Sequence, residues 1–391
     1  MSNKLLKILL LVSLISTFTP MFAASDPAIS LGKIVNVHST ILAEDRELLI
    51  NLPKGYNRYT NRTYPVFVVL DGRFNFKATA SIIHSLAEGG AIPRMIVVGV
   101  ANTNRWRDLT PVPGLGIPGT GGGDKFLRFL GEELLPWLEK NYRMNGFKVL
   151  SGHSLGGLTT LNVLEKAPQL FDAYLALRPT LNWDSGTVLK QQIQTIKTHS
   201  SLDKMLYLAI ANEQLVRPYY NSLVNMLETD APDDLKWTSD LFEQYDDHKS
   251  VRISGGIAGI RWVFRGWRLT SKQIINLTDE EVVQWHVSAT KRYKQVLFWE
   301  MEDMTNAAYW GLHNKATKKR AMYLFNLAVK RWPESAYAWS CLGEGLERLG
   351  KTREALKQMK KALAMAIEEK NGDLSYYQGM VDRVSKKLLA M

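Results

Sequence analysis

Hydrophobic positions fall into two regimes along the chain. From Leu48 to about Trp267, short Val/Ile/Leu-rich runs alternate with stretches of helical spacing. The runs Leu48–Leu52, Val66–Leu70, Met95–Val100, Lys148–Ser151, Ala173–Leu177, Met205–Ile210 and Asp240–Tyr245 read as strands. Several are nearly continuous in branched apolar residues, the pattern of strands buried on both faces of a mostly parallel sheet. Between them, Phe126, Phe129, Leu130, Glu133, Leu134 and Trp137 form one helical face behind Asp124, a residue type suited to cap a helix start. Alternating β and α elements predict a three-layer α/β domain.

Beyond Trp267 the strand-like runs stop. Thr278 to Glu281 has the form of a capping box opening a helix, and everything after it reads as helical. Ala321, Phe325 and Ala328 recur 34 residues later as Ala355, Met359 and Ala362. Trp339, Leu342, Gly343 and Gly350 add the first-helix pattern of the same unit, and Pro333 closes the preceding one. That period is the one found in tetratricopeptide repeats, with an unrelated helical bundle as the alternative. Such units bury a continuous core only in about three or more copies. This small all-α region is therefore expected to pack on the α/β domain or on a second copy of itself.

At the other end, Lys4 and Lys7 precede an apolar run from Ile8 to Phe18, and Met21 to Ala24 supplies small residues for cleavage. The layout is that of a secretory signal peptide, the run being shorter than the ~20 residues that span a bilayer. A membrane anchor is the competing reading. The expected organisation is a signal at 1–24, an α/β domain at 25–270 and a helical, tetratricopeptide-like region at 271–391. Such a protein is expected to be periplasmic or secreted, with no membrane span after cleavage.

Composition narrows this picture little. With 46% hydrophobic and 22% charged residues over 391 positions, the chain is neither disordered nor low-complexity. The formal charge of +11 falls to +9 once Lys4 and Lys7 leave with the signal. No nucleic-acid-binding pattern accompanies that excess, so anionic substrates or the polyanionic cell envelope are the partners it suggests. Cys341 is the single cysteine, which excludes an internal disulfide and suits an oxidising compartment. With no histidine pair at ligand spacing either, no metal and no cofactor are expected.

The chemistry centres on Gly152-His153-Ser154-Leu155-Gly156, which follows the strand run Lys148–Ser151 and opens a helix-like stretch. A G-x-S-x-G motif between strand and helix is the setting of a nucleophilic serine on a sharp turn. Ser154 would then sit at a helix N-terminus, with the Leu155 N–H directed at developing negative charge. A serine nucleophile needs a base and an orienting carboxylate, in the chain order Ser, Asp or Glu, His. His248, just past the strand run Asp240–Tyr245, is the candidate base, ahead of His199, His286 and His313. Glu213, just past Met205–Ile210, is the favoured acid, with Asp246 and Asp247 as competitors. The turn Asp71-Gly72-Arg73 after Val66–Leu70 offers the Arg73 backbone N–H as second oxyanion donor. Trp183 is a candidate pocket wall. Arg107, beside Arg105 and Asp108, is a candidate for binding an anionic substrate, the alternative being a loop-fixing ion pair. Gly114 to Gly119 formally matches G-x-G-x-x-G but follows no strand and holds a proline, so 111–123 reads as a loop beside the site.

Several of these stretches together resemble the esterase family that includes esterase D and the enterochelin (ferric siderophore) esterases. They are Val37-His38, Leu52-Pro53, Val69-Leu70-Asp71-Gly72 with Phe76, Arg105 to Pro111, Gly152 to Gly157 and Asp247 to Val251. The resemblance covers roughly Ile34 to Trp267, and the trailing helical region resembles a bacterial subgroup with a tetratricopeptide-like tail. It implies an α/β-hydrolase fold, Ser154 as nucleophile, His248 as base and Arg73 as oxyanion donor, with an acid that varies among members. Where relatives often carry Ser-Pro-Ser-Leu-Trp-Trp, this chain has Arg178-Pro-Thr-Leu-Asn-Trp183, which brings the Arg178 charge toward the pocket. The expected activity is hydrolysis of a small-molecule carboxylic ester through an acyl-enzyme. Acyl transfer from the same site, or an interaction protein on an inactive hydrolase scaffold, are the alternatives. The natural ester is not legible, because pocket loops set specificity on such folds.

Overall fold

The central sheet is built where the sequence is most continuously apolar. The computed structural model describes residues 30–199, 201–243, 247–295 and 301–391. The signal-like segment 1–24 and Asp246 lie outside them. Eight strands form one sheet: β1 (Lys33–Ser39), β2 (Glu44–Asn51), β3 (Tyr64–Val69), β4 (Ile96–Val100), β5 (Met144–His153), β6 (Ala173–Leu177), β7 (Met205–Ala211) and β8 (Lys236–Phe242). Their spatial order is β1-β2-β4-β3-β5-β6-β7-β8. The first two pairings, β1 with β2 and β2 with β4, are antiparallel, and all others are parallel. Strands β3, β4, β6 and β7 are buried along their whole length, as parallel strands covered on both faces must be.

Helices α1 (Gly72–Glu88), α2 (Arg105–Asp108), α3 (Gly123–Arg128), α4 (Leu135–Asn141), α5 (Leu155–Lys166), α6 (Thr187–Thr198) and α7 (Arg217–Asp230) lie between strands, and α8 (Val251–Val263) follows β8. This order, with a helix after most parallel strands and an antiparallel start, is the α/β-hydrolase fold.

Two sequence expectations are corrected and one strand is added. The edge strand β1 went unread because its side chains are mostly exposed and carry no apolar run. Strand β8 starts at Lys236 and ends at Phe242, not over Asp240–Tyr245, because an edge strand half open to solvent lacks the apolar run that marks the others. Asp124 does not cap its helix. Gly122 holds the cap position, and the Asp124 carboxylate reaches Lys166 Nζ at 2.6 Å. From Phe129 to Leu134 that helix widens into π-type turns before α4.

After α8 the chain is helical to its end among the described residues: α9 (Ser271–Asn276), α10 (Asp279–Tyr293), α11 (Met301–Gly311), α12 (Lys318–Arg331), α13 (Ala336–Arg348), α14 (Thr352–Glu368) and α15 (Leu374–Leu389). The Thr278 capping box is present, Thr278 accepting from the Glu281 N–H and Glu281 accepting from the Thr278 N–H. Ala321, Phe325 and Ala328 on α12 and Ala355, Met359 and Ala362 on α14 are all buried. Residues 32–391 form one compact unit. Asn145 donates to Tyr293 O at 3.1 Å, and Lys294 reaches Asp172 at 2.6 Å. Phe147 at the start of β5 packs on Tyr293 with ring centroids 5.5 Å apart.

A buried charge network fixes the loop after β4. Arg46 on β2 and Asp108 on α2 are both fully buried and paired, and Arg46 Nη1 also donates to Ala101 O at 3.2 Å. Its guanidinium lies over the Phe126 ring, 5.3 Å from the centroid. Arg46 Nε also lies 3.1 Å from Glu44 Oε1, so removing Asp108 leaves the buried guanidinium only partly compensated, at a cost toward the lower end of the range of about 3–5 kcal/mol for breaking a buried pair. Asp108→Ala is therefore expected to lower the unfolding free energy by about that amount. Urea titration of the purified protein measures it, and an unchanged midpoint would remove the network from the account of stability.

Candidate active site

The parallel register carries the candidate residues to one edge of the sheet. Val69 pairs with Ser151, and Leu177 pairs with both His153 and Ala209. Ala211 in turn pairs with Phe242. The segments leaving β3, β5, β6, β7 and β8 thus emerge side by side at their C-terminal ends, and they carry Arg73, Ser154, Arg178, Glu213 and His248.

Ser154 joins β5 to α5 in a single residue, with φ 60° and ψ −119°. Such a conformation costs a non-glycine residue on the order of 1–3 kcal/mol. A Cβ on Gly152 would stand 2.0 Å from Gly156 O, so no other residue fits inside that turn. The Ser154 N–H donates to Leu177 O at 3.0 Å, and Thr180 N–H donates to Ser154 O at 3.2 Å, holding the turn against β6. Among the described residues the Ser154 hydroxyl hydrogen-bonds Thr180 Oγ1 at 3.3 Å, not the His248 ring.

Leu155 is the first residue of α5, and Arg73 lies in the first turn of α1. Among the described residues, neither N–H donates to another backbone group. The Arg73 side chain turns outward to Glu47 at 2.9 Å, so only its backbone is available here. Gly72 lets α1 start against β4, since a Cβ there would meet Gly99 C at 2.7 Å.

Glu213 Oε1 lies 3.4 Å from His248 Nδ1. Arg178 grips the same carboxylate with one guanidinium edge, Nε donating to Oε1 at 2.7 Å and Nη2 to Oε2. Burial alone would raise the Glu213 pKa; the Arg178 hydrogen bond and charge outweigh it and hold the carboxylate below its ordinary value. Burial and then the Arg178 charge lower the His248 pKa below 6.5, against the pull of Glu213. Asp247 faces elsewhere: its Oδ1 accepts from the N–H groups of Lys249 at 2.7 Å and Ser250 at 2.9 Å.

A cavity of about 410 Å³ opens beside Ser154, bounded by Arg105, Trp106, Leu115, Arg178, Trp183 and Leu215 among others. Trp183 is buried, donates to Val112 O at 3.0 Å and meets Trp106 with ring centroids 6.0 Å apart. Arg107 does not line this cavity. Glu44 and Asp108 hold it at 2.7 Å each, and its neighbour Arg105 faces the cavity instead, paired with Asp71 at 2.7 Å. Thr180, Trp106, Leu115 and Leu215 were not singled out from the sequence. Following β6 to its C-terminal end, as was done for β7 and β8, would have found Thr180. Among the described residues no three His, Cys, Asp or Glu side chains gather as a metal site requires.

A family model described as "Putative esterase" matches residues 39–253. The ferri-bacillibactin esterase BesA of Bacillus subtilis is 31% identical over 150 residues, covering 33% of this chain and 52% of its own. The siderophore enterobactin esterase of Emericella nidulans is 36% identical over 115 residues, covering 26% and 38%. The chain thus spans about half or less of the length of these curated relatives. The crystal structure of an IroE-like serine hydrolase from Shewanella oneidensis superposes with a TM-score of 0.66 at 29% identity, covering 76% of this chain and 98% of that one.

The electrostatics generate a test that needs no turnover. The His248 ring should titrate below 6.5. In Arg178→Gln its midpoint should rise, because the variant loses a cation that repels the imidazolium and leaves Glu213 free to stabilise it. Ring-proton NMR titration reads both midpoints, and no upward movement would contradict the pairing described.

Proposed function

This chain belongs to the esterase family, and on that premise we propose that it is a serine carboxylic-ester hydrolase. Ser154 attacks the ester carbonyl after its side chain rotates away from Thr180 toward His248. Apo sites commonly hold such hydrogen bonds long or misdirected and tighten them only with substrate. His248 Nε2 takes the serine proton, while Nδ1–H remains directed at Glu213, which fixes the tautomer and stabilises the imidazolium. The N–H groups of Leu155 and Arg73 receive the oxyanion; losing one such donor typically costs about 3–4 kcal/mol of transition-state stabilisation. His248 then gives its proton to the leaving alcohol, and water, activated by the same ring, resolves the acyl-enzyme. The observation that carries this reading is the Glu213–His248 contact of 3.4 Å at the sheet edge where Ser154 turns through φ 60°.

The siderophore esters named for the curated relatives are the first substrate candidates. Trp106, Trp183 and Leu115 support recognition of a neutral, apolar or aromatic part of the ester, since Arg178 and Arg105 already have carboxylate partners. The leader-like composition of 1–24 supports export to the periplasm or beyond. The burial of all six positions repeated at 34 residues supports reading 271–391 as a tetratricopeptide-like region, with self-association or a protein partner as its role.

Hydrolysis of a p-nitrophenyl ester series and of siderophore-type esters tests the reaction. Ser154→Ala should lose turnover and fluorophosphonate labelling together, with kcat falling on the order of 10,000-fold or more. Glu213→Gln should lose up to about 10,000-fold in kcat, the scale set when a triad acid is made neutral. Asp247→Asn should stay near wild type. Turnover surviving Ser154→Ala would overturn the mechanism, and an Asp247→Asn loss exceeding that of Glu213→Gln would reassign the acid.

A further inference from the structure

Building on the reading of Ser154 and His248 as nucleophile and base, we infer that His153 is a positioning residue: its ring holds the His248 backbone at the site. His153 ends β5, is buried, and its Nε2 stands 2.6 Å from His248 O. A carbonyl only accepts, so Nε2 carries the proton and donates. The two imidazoles are in contact, with ring centroids 4.9 Å apart and planes at 58°. The anchored carbonyl belongs to the same residue whose ring faces Glu213. The bond therefore restrains the backbone from which the base projects.

His248 needs such a restraint. It sits in a turn before α8, and its side chain is 41% exposed. Among the polar contacts of the described segment are Glu213 at the ring, Asp247 capping the N–H groups of Lys249 and Ser250, and His153 at the carbonyl. Of these only His153 is tied to the nucleophile's own turn. Residues 153 and 154 are consecutive, so the anchor of the base and the nucleophile ride on one rigid strand end. Burial keeps the His153 ring neutral, pushing its pKa down to about 4. It adds no second positive charge beside His248 when that ring becomes imidazolium.

The test compares His153→Leu, which removes the donor, with His153→Gln, whose amide nitrogen can replace Nε2–H. Both are made in the full chain and checked for an unchanged thermal transition. With p-nitrophenyl acetate, His153→Leu should lose on the order of 10–100-fold in kcat with KM within about twofold, the scale of a base displaced by about an ångström. His153→Gln should recover most of that loss. Amide hydrogen exchange over residues 247–253, read by mass spectrometry, should be faster in His153→Leu than in the wild type or His153→Gln. The positioning role is overturned if His153→Leu keeps both kcat and slow exchange, or if His153→Gln matches His153→Leu in both. Exchange needs no turnover, so it decides the role of His153 even if Ser154→Ala shows that hydrolysis does not run through Ser154.

Discussion

Between Gly152 and Leu155 the chain reverses from a buried strand into a buried helix, and the residue that makes the reversal carries the hydroxyl proposed as nucleophile. The strained conformation at Ser154 persists because its surroundings over-determine it. Helix α5 is buried through Glu165, and the turn is bonded to β6 through its N–H and to Thr180 just beyond β6 through its carbonyl. Left-handed residues also end the neighbouring strands, Asp71 after β3 at φ 54° and Arg178 after β6 at φ 46°. Three adjacent parallel strands therefore stop abruptly at one edge. Short exits of this kind give the edge its precision: each places a functional group within a residue or two of rigid sheet, with no loop length over which position could be lost.

The positive charge of the chain does not accumulate at that edge. Arg178 is bound by Glu213 and Arg105 by Asp71, while Arg107 and Arg46 share Glu44 and Asp108. Each arginine expected near the substrate is thus paired with a carboxylate, and the guanidinium groups act on neighbouring side chains. Arg178 holds the Glu213 carboxylate ionised and lowers the pKa of the histidine beside it. Arg178 and Arg105 line the cavity with their charge offset by Glu213 and Asp71.

Legibility in the sequence followed the physics of burial. Strands β3, β4, β6 and β7 were readable because both their faces are covered, which demands branched apolar runs. β1 and β8 were missed or misplaced because edge strands meet no such demand. Ser154 and Glu213 could be picked out as candidates because each follows its strand within two residues and the register of a parallel sheet brings those ends together, whereas His248 was picked by chain order, well past the end of β8. The choice between Arg105 and Arg107 was not readable. They lie two residues apart on a four-residue helix, and which one faces the cavity depends on Glu44 and Asp71, far away in sequence. The Asp124 cap failed for a comparable reason: Lys166, 42 residues away, takes the carboxylate that local spacing had assigned to the helix start.

The helical region and the candidate site use opposite ends of the same strands. Lys294 and Tyr293 engage Asn145, Gly146 and Phe147 at the start of β5 and Asp172 just before β6. Arg268 reaches Gly90 O ahead of β4 and pairs with Asp303 on α11. Ser154, Arg178 and Glu213 lie past the far ends of β5, β6 and β7. Contacts at the strand starts can therefore stiffen the sheet that positions Ser154 without walling off the cavity beside it. That geometry separates two requirements that compete in a small domain, a rigid frame for a strained turn and an open approach for substrate. It also ties the helical region to β5, the strand that runs into Ser154.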